Sequence, residues 1–513
     1  MEQQARVKNV KRNLIFNVLK FIAQLILQFA LRTALIYKMG VDYVGLNGLF
    51  TNVFSFLNLA ELGIGSAIVF SMYKPIAQGD IEKVKTLIAY YKKFYTIIAC
   101  VIAVLGLIIM PFIRHLINGE VTVNVNLYIL YAMYLVNTVI GYFSAHKRSL
   151  LYAYQRNDIE SKVKTICMFL MTAIQIAVVF IFKNYYVYFA ITLVFTFVEN
   201  LLIHVWASKL FPELLGKSQP LDTLTRKEIT KNATALSMHK IGSVVVFSTD
   251  NIIISSLLGL TVLGVYSNYY LIITSLTSVF LLLSSALPGS IGNLIASTSK
   301  EYVYERFERV NFIFTLLTVF STVCLLVLFQ PFIKIWTPGE EMLLNYSTVI
   351  LICISFFVTK MRMGVLAFID GAGLFYQNRF IPLIEAGVNI VVSIVLGLHM
   401  GLDGVIIGTI VSSLVAPVWS APHVLYKYYF KKSVWLYFKQ YFMDVLITIA
   451  VAFLCHAVCS YIPDGTIGNL ILKFAVCIVV AILLIAIVYA PTRTFKETYI
   501  WGKNMISRRK LDK

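Results

Sequence analysis

Runs of mainly apolar residues recur from near the start of the sequence to about residue 490. Each is about 18 residues or longer, enough to cross a bilayer core of about 30 Å. Backbone N–H and C=O groups have no water to bond within that core, so a crossing segment must satisfy them internally. The short-period alternation of a β-barrel is absent, and helices are the remaining solution. The chain is 59% hydrophobic and 13% charged, against about 45–50% and 25% in soluble domains. The sequence therefore predicts an all-α integral membrane protein of about 14 transmembrane helices.

Six spans are expected at about 13–37, 44–72, 94–116, 125–152, 163–182 and 187–208. Six more fall at about 234–258, 262–297, 310–331, 343–368, 380–398 and 402–427, and a final pair at about 437–460 and 467–490. The net charge of +19 invites a nucleic-acid reading. However, the cations sit in short segments between apolar runs, as the positive-inside rule requires. With the N-terminus inside, only Lys38, Arg114, Lys183, Lys334 and Lys473 fall outside, and Lys20, Arg32 and Lys240 fall within spans. The rest of the 44 Lys and Arg lie in the tails and inner loops, so both termini are expected in the cytoplasm, with no nucleic-acid partner.

Several activities find no support. Walker A, GxGxxG, HExxH and GxSxG motifs are absent, so neither an enzyme nor a cofactor is expected. The seven cysteines lie in apolar runs without metal-ligand spacing and read as packing residues, with no metal site. The first apolar run carries Lys20 and Arg32 and lacks a small-residue cleavage site, so it is expected to remain in the mature protein.

An internal repeat organises the spans. GVDYVGLNGLF follows span 1 and GLTVLGVYSNY follows span 7, with Gly40 and Gly45 matching Gly259 and Gly264. Six spans separate the copies, and an even offset makes the repeat parallel, about an axis along the membrane normal. The expected organisation is an N-terminal lobe at 1–208, a cytoplasmic linker at 209–233 and a second six-helix lobe at 234–428. Spans 13 and 14 and a basic tail follow at 429–513. Two such lobes related by a pseudo-twofold would enclose a cavity.

Candidate functional residues concentrate on span 1. Asn13, Asn17, Lys20, Gln24, Gln28 and Arg32 are three or four residues apart and share one helix face. Such a face is expensive against lipid and should turn toward the bundle interior or a water-filled cavity. Snorkelling to the inner surface is the plainer alternative for Lys20. Span 7 carries His239, Lys240, Ser243 and Asp250, and span 2 carries Asn47, Thr51, Ser55, Asn58 and Glu61. Glu61 could pair with Arg32 or with a local partner. Glu199, His204, Glu385 and Asp444 are isolated polar groups and read as structural.

The stretches VDYVGLNGLF, FLNLAELGIGSAIVFSMYKPIAQGDIEKVKTLIAYYKKFY and STDNIIISSLLGLTVLGVYSNYYLI resemble the polysaccharide transporter branch of the multidrug/oligosaccharidyl-lipid/polysaccharide (MOP) exporter superfamily. The resemblance covers spans 1–8. It implies a V-shaped pair of six-helix lobes with alternating access, in a multi-pass protein of the bacterial cytoplasmic membrane. It also implies a flippase for undecaprenyl-diphosphate-linked repeat units of O-antigen, capsule or exopolysaccharide. The lipid II flippase branch has a cluster of Arg and Asp on the first span, whereas span 1 here has Lys20, Arg32 and amides. On this reading Lys20, Arg32 and Lys240 would engage diphosphate. Asn17, Gln24 and Gln28 would contact cargo oxygens, and His239, Asp250 and Glu61 could couple transport to H+ or Na+. A polysaccharide polymerase is a further expected partner. The rival readings are a cation-coupled multidrug antiporter, which predicts an acidic cavity, a lipid II flippase and a non-transport scaffold.

Overall fold

The computed structural model describes residues 2–61, 64–121, 123–214, 216, 219–223, 225–227, 229, 248–285 and 287–511. The description excludes the side chains of residues 2–19, 60–64, 66–68, 375, 502 and 504–511. Among the described residues every regular element is a helix and no strand occurs, as the hydropathy requires. Ten helices among the described residues are long and apolar enough to span a membrane, and a bent pair makes an eleventh.

Two local features account for most of the difference from fourteen. The 55-residue stretch Tyr376–Phe430 counts as one span-length run, but Gly401 inside its longest helix, Ile381–Val415, has φ 60°, ψ −134°. That conformation is open to glycine and strained for other residues, and it folds the run back as two spans. The return leg packs tightly: a Cβ on Gly404 would collide with Leu396 O, and one on Gly408 with Ser393. The expected second span is divided by the short helical turn Asn58–Glu61. The expected seventh lies mostly outside the described residues, as do His239, Lys240 and the 230–233 end of the linker.

The chain divides into two compact units, residues 1–264 and 265–513. In the first, α1 (Glu2–Lys38), α2 (Val41–Leu57), α3 (Ile64–Gln78) and α4 (Ile81–Ile109) are followed by α5 (Leu127–Phe143) and α6 (Ala145–Ala153). Two further helices, α7 (Asn157–Phe182) and α8 (Tyr185–Leu210), complete its described spans. Side-chain caps set several starts: Asp80 accepts from Lys83 N, Asn126 from Tyr128 N, and Asn184 from Tyr186 N. The repeat is visible in backbone geometry, since Gly40 and Gly259 both have left-handed φ, 106° and 89°. The segments they introduce meet within this unit. A Cβ on Gly45 would collide with Leu260 O and one on Gly264 with Val41 O, while Thr261 Oγ1 donates to Asp42 Oδ1 at 2.6 Å.

The second unit packs around an aromatic cluster that includes Tyr304, Phe307, Phe368, Tyr426 and Phe430. Its isolated acids are accounted for locally. Glu385 accepts from Arg362 Nη1 at 2.9 Å and from Ser413 Oγ at 2.8 Å. Asp444 accepts from Gln440 Nε2 and Tyr489 Oη.

Candidate functional site

A cavity of about 1080 Å³ in the first unit lies among α3, α4, α5, α6, α7 and α8. Tyr73, Tyr95, Tyr142 and Tyr152 give it aromatic walls, Asn58, Asn137 and Asn157 give amides, and Arg148, Lys164 and Glu199 carry charge.

A bend builds its polar end. α5 and α6 meet at 40° across Ser144. There the Ser144 amide bonds Tyr142 O, so Ile140 O loses its usual helical donor. Asn200 on α8 replaces it, with Nδ2 donating to Ile140 O at 3.0 Å. Ser144 Oγ donates in turn to Asn200 O at 3.1 Å. A freed backbone acceptor at membrane depth is thereby satisfied by a neighbouring helix. The bend also aims Arg148 across at α8, where Nη2 donates to Glu199 Oε1 at 3.0 Å and Asn200 Oδ1 at 2.8 Å. Asn200 thus holds the bend and the guanidinium together.

Two polar atoms on cavity residues have no hydrogen-bond partner among the described residues, the donor Arg148 Nε and the acceptor Asn137 Oδ1. Buried polar atoms are almost always paired, so these two leave hydrogen-bonding capacity on residues of the cavity wall.

The expected span-1 site is only partly assembled here. Helix α1 runs along α7: Lys20 Nζ donates to Ser161 Oγ at 2.8 Å near one end, and Lys38 Nζ lies 4.9 Å from the Phe180 ring centroid near the other. Lys20 is within electrostatic reach of Lys164, Glu160 and Glu199, two of which line the cavity. Arg32 faces α8 near Tyr185 and Tyr188, and its Nη1 is buried without a partner among the described residues. Gln24 is half-buried and Gln28 exposed. Asp250 is half-buried and engaged. The side chains of Asn17 and Glu61, with all of His239 and Lys240, lie outside the described residues. On span 2, Asn47 accepts from Tyr134 Oη at 2.5 Å and Asn58 from Tyr142 Oη at 2.9 Å.

Sequence reasoning missed Arg148 and Lys164, which were counted among inner-loop cations, and treated Glu199 as isolated. The available signal was the adjacent Glu199–Asn200 pair on span 6, a carboxylate and an amide with no partner on their own helix. Among the described residues no group of three or more His, Cys, Asp or Glu could hold a metal.

Comparison with solved structures places this all-helical bundle beside known folds. The fold resembles that of the lipid II flippase MurJ in an inward closed conformation, with TM-score 0.64 and 16% identity over 93% of this chain and 99% of that one. It also resembles an inward-facing multidrug resistance MATE family transporter of the MOP superfamily, with TM-score 0.58 and 16% identity over 78% of this chain and 94% of that one. A MOP superfamily transporter from Pyrococcus furiosus with a binding pocket of reverse polarity aligns with TM-score 0.53 and 16% identity over 81% and 94% of the two chains. No protein-family model and no curated protein matches the sequence.

Proposed function

We propose that the chain is a flippase that moves undecaprenyl-diphosphate-linked oligosaccharide repeat units across the bacterial cytoplasmic membrane by alternating access, for surface polysaccharide synthesis. The observation that carries this reading is the composition of the cavity in the first unit. Arg148 and Lys164 outnumber Glu199 on its wall, and Lys20 stands behind Lys164. A diphosphate leaving water needs such cations, and arginine can bind its oxygens through two N–H groups at once. Arg148 on the wall would meet a phosphate oxygen, and Asn137 a sugar hydroxyl. Tyr73 and Tyr152 would offer flat apolar faces to sugar rings. The positive balance disfavours a cationic drug, which would seek acidic walls. A lipid II cargo is the second reading, favoured by the extent of the match to the lipid II flippase fold.

In this proposal Lys20 and Arg32 remain diphosphate partners, with Arg148 and Lys164 added. Gln24, Gln28 and Asn17 serve cargo oxygens. Lys240 would contribute from the second repeat, and His239, Asp250 and Glu61 would couple the cycle to H+ or Na+. Deleting the gene and measuring surface polysaccharide with the pool of lipid-linked repeat units tests the assignment. The proposal expects polysaccharide to fall and the inward-facing pool to rise. If both are unchanged, the reading is wrong.

A further inference from the structure

The second unit carries a groove of about 660 Å³ that the transport reading does not use. It lies where the Lys and Arg distribution places the cytoplasmic surface. Its walls come from the end of span 12 and the start of span 13, including Trp419, His423, Lys427, Tyr428, Trp435 and Phe438. We infer that this groove binds the head group of an anionic phospholipid from the inner leaflet, with Lys427 and His423 as donors to its phosphate and Trp419 and Trp435 against its glycerol and upper acyl chains.

Three observations support the assignment. First, the groove has Lys427 and His423 and no carboxylate on its wall, and the sequence from 404 to 443 contains no acid while adding Lys431, Lys432 and Lys439. Basic clusters at the cytoplasmic surface attract anionic lipid. Second, Trp419 and Trp435 remain 44% and 67% exposed, although both are held against the buried Phe438, at 4.3 and 6.1 Å between ring centroids. Indoles at head-group depth, with one side packed and the other free, suit a lipid better than a free anion. Third, the backbone widens here into a π-helical turn, Leu425–Phe430, a form found mostly as short insertions at functional sites. It carries Lys427 and Tyr428 outward while keeping Leu425 and Tyr426 buried.

The test uses the full chain in detergent micelles with Trp206, Trp336 and Trp501 changed to Phe, so that the indoles at the groove report. Brominated phosphatidylglycerol should quench them at a lower mole fraction than brominated phosphatidylcholine. Lys427→Gln should lower that preference about fivefold, the effect of one interfacial cation. Inorganic phosphate alone should not displace the lipid. Equal quenching by the two lipids, an unchanged preference in Lys427→Gln, or full displacement by phosphate would each overturn the inference. Native mass spectrometry of the unmodified chain, counting retained phosphatidylglycerol against phosphatidylcholine, gives the same decision should the Trp-reduced background fold poorly. Neither readout depends on the transported cargo.

Discussion

At the residue scale the account turns on Arg148. Its guanidinium is shared between Glu199 and Asn200, and Nε is left over. Arg148→Ala should reduce transport at least tenfold, whereas Arg148→Lys should keep part of it, because lysine restores the charge and loses the fork. Transport assayed at matched protein level in the membrane checks this, and full activity in the alanine variant would make Arg148 structural. Asn200→Leu separates positioning from binding. It strips Ile140 O of its α8 donor and Arg148 Nη2 of the Asn200 Oδ1 acceptor, and each buried group left unpaired costs about 1–3 kcal/mol. A lowered melting temperature that Arg148→Lys does not share is the expected result.

At the element scale, much was legible and the exceptions have causes. The periodicity of span 1 placed its polar side chains on one face, and Lys20 does turn to a polar partner on α7. Which helix would receive that face depends on tertiary packing, which periodicity does not encode. The glycine repeat was legible because Gly40 and Gly259 each open a hairpin with positive φ. The closeness of Gly45 to Leu260 was hidden, since a missing Cβ leaves no pattern in hydropathy. Gly45→Val should therefore force α2 away from the start of helix Leu260–Ser285 and cost about 1–3 kcal/mol, the range for overpacking, read as a fall in melting temperature. Gly79→Ala, at an open position with φ 70°, serves as a control for strain alone.

The terminal helix Arg493–Leu511 gives a pH-dependent case. Arg493 Nε donates to Glu497 Oε1 at 2.6 Å, and Arg309 Nη2 reaches Glu497 Oε2 at 3.2 Å. The Arg493 hydrogen bond, reinforced by Arg309, holds the Glu497 carboxyl below its ordinary value of 4.5. A depressed carboxylate pKa adds stability above the unfolded value, and that contribution is lost as pH falls through the folded value. Docking of this helix, followed by fluorescence of Trp501 beside Arg306, should hold steady from pH 7 to 5 and loosen only below the usual carboxylate range. Glu497→Gln should abolish that transition, and a midpoint above 4.5 would contradict the pairing.

At the scale of the whole molecule, the all-helical membrane fold follows from hydropathy and from the cost of unpaired backbone in lipid, and the solved relatives share it. Span boundaries were less visible where a glycine reverses a helix without leaving the apolar run, as at Gly401. The candidate cavity was obscured for another reason: its cations lie where a positive-inside count expects ordinary loop charge. The most direct test is a flipping assay in proteoliposomes carrying a purified lipid-linked oligosaccharide diphosphate, with sugar exposure read by an impermeant glycan-cleaving enzyme. The account predicts that the wild-type chain brings inner-leaflet cargo into reach of the enzyme and that Arg148→Ala lowers this rate at least tenfold. Cargo that stays protected with the wild-type chain, or crosses equally fast with Arg148→Ala, would contradict it.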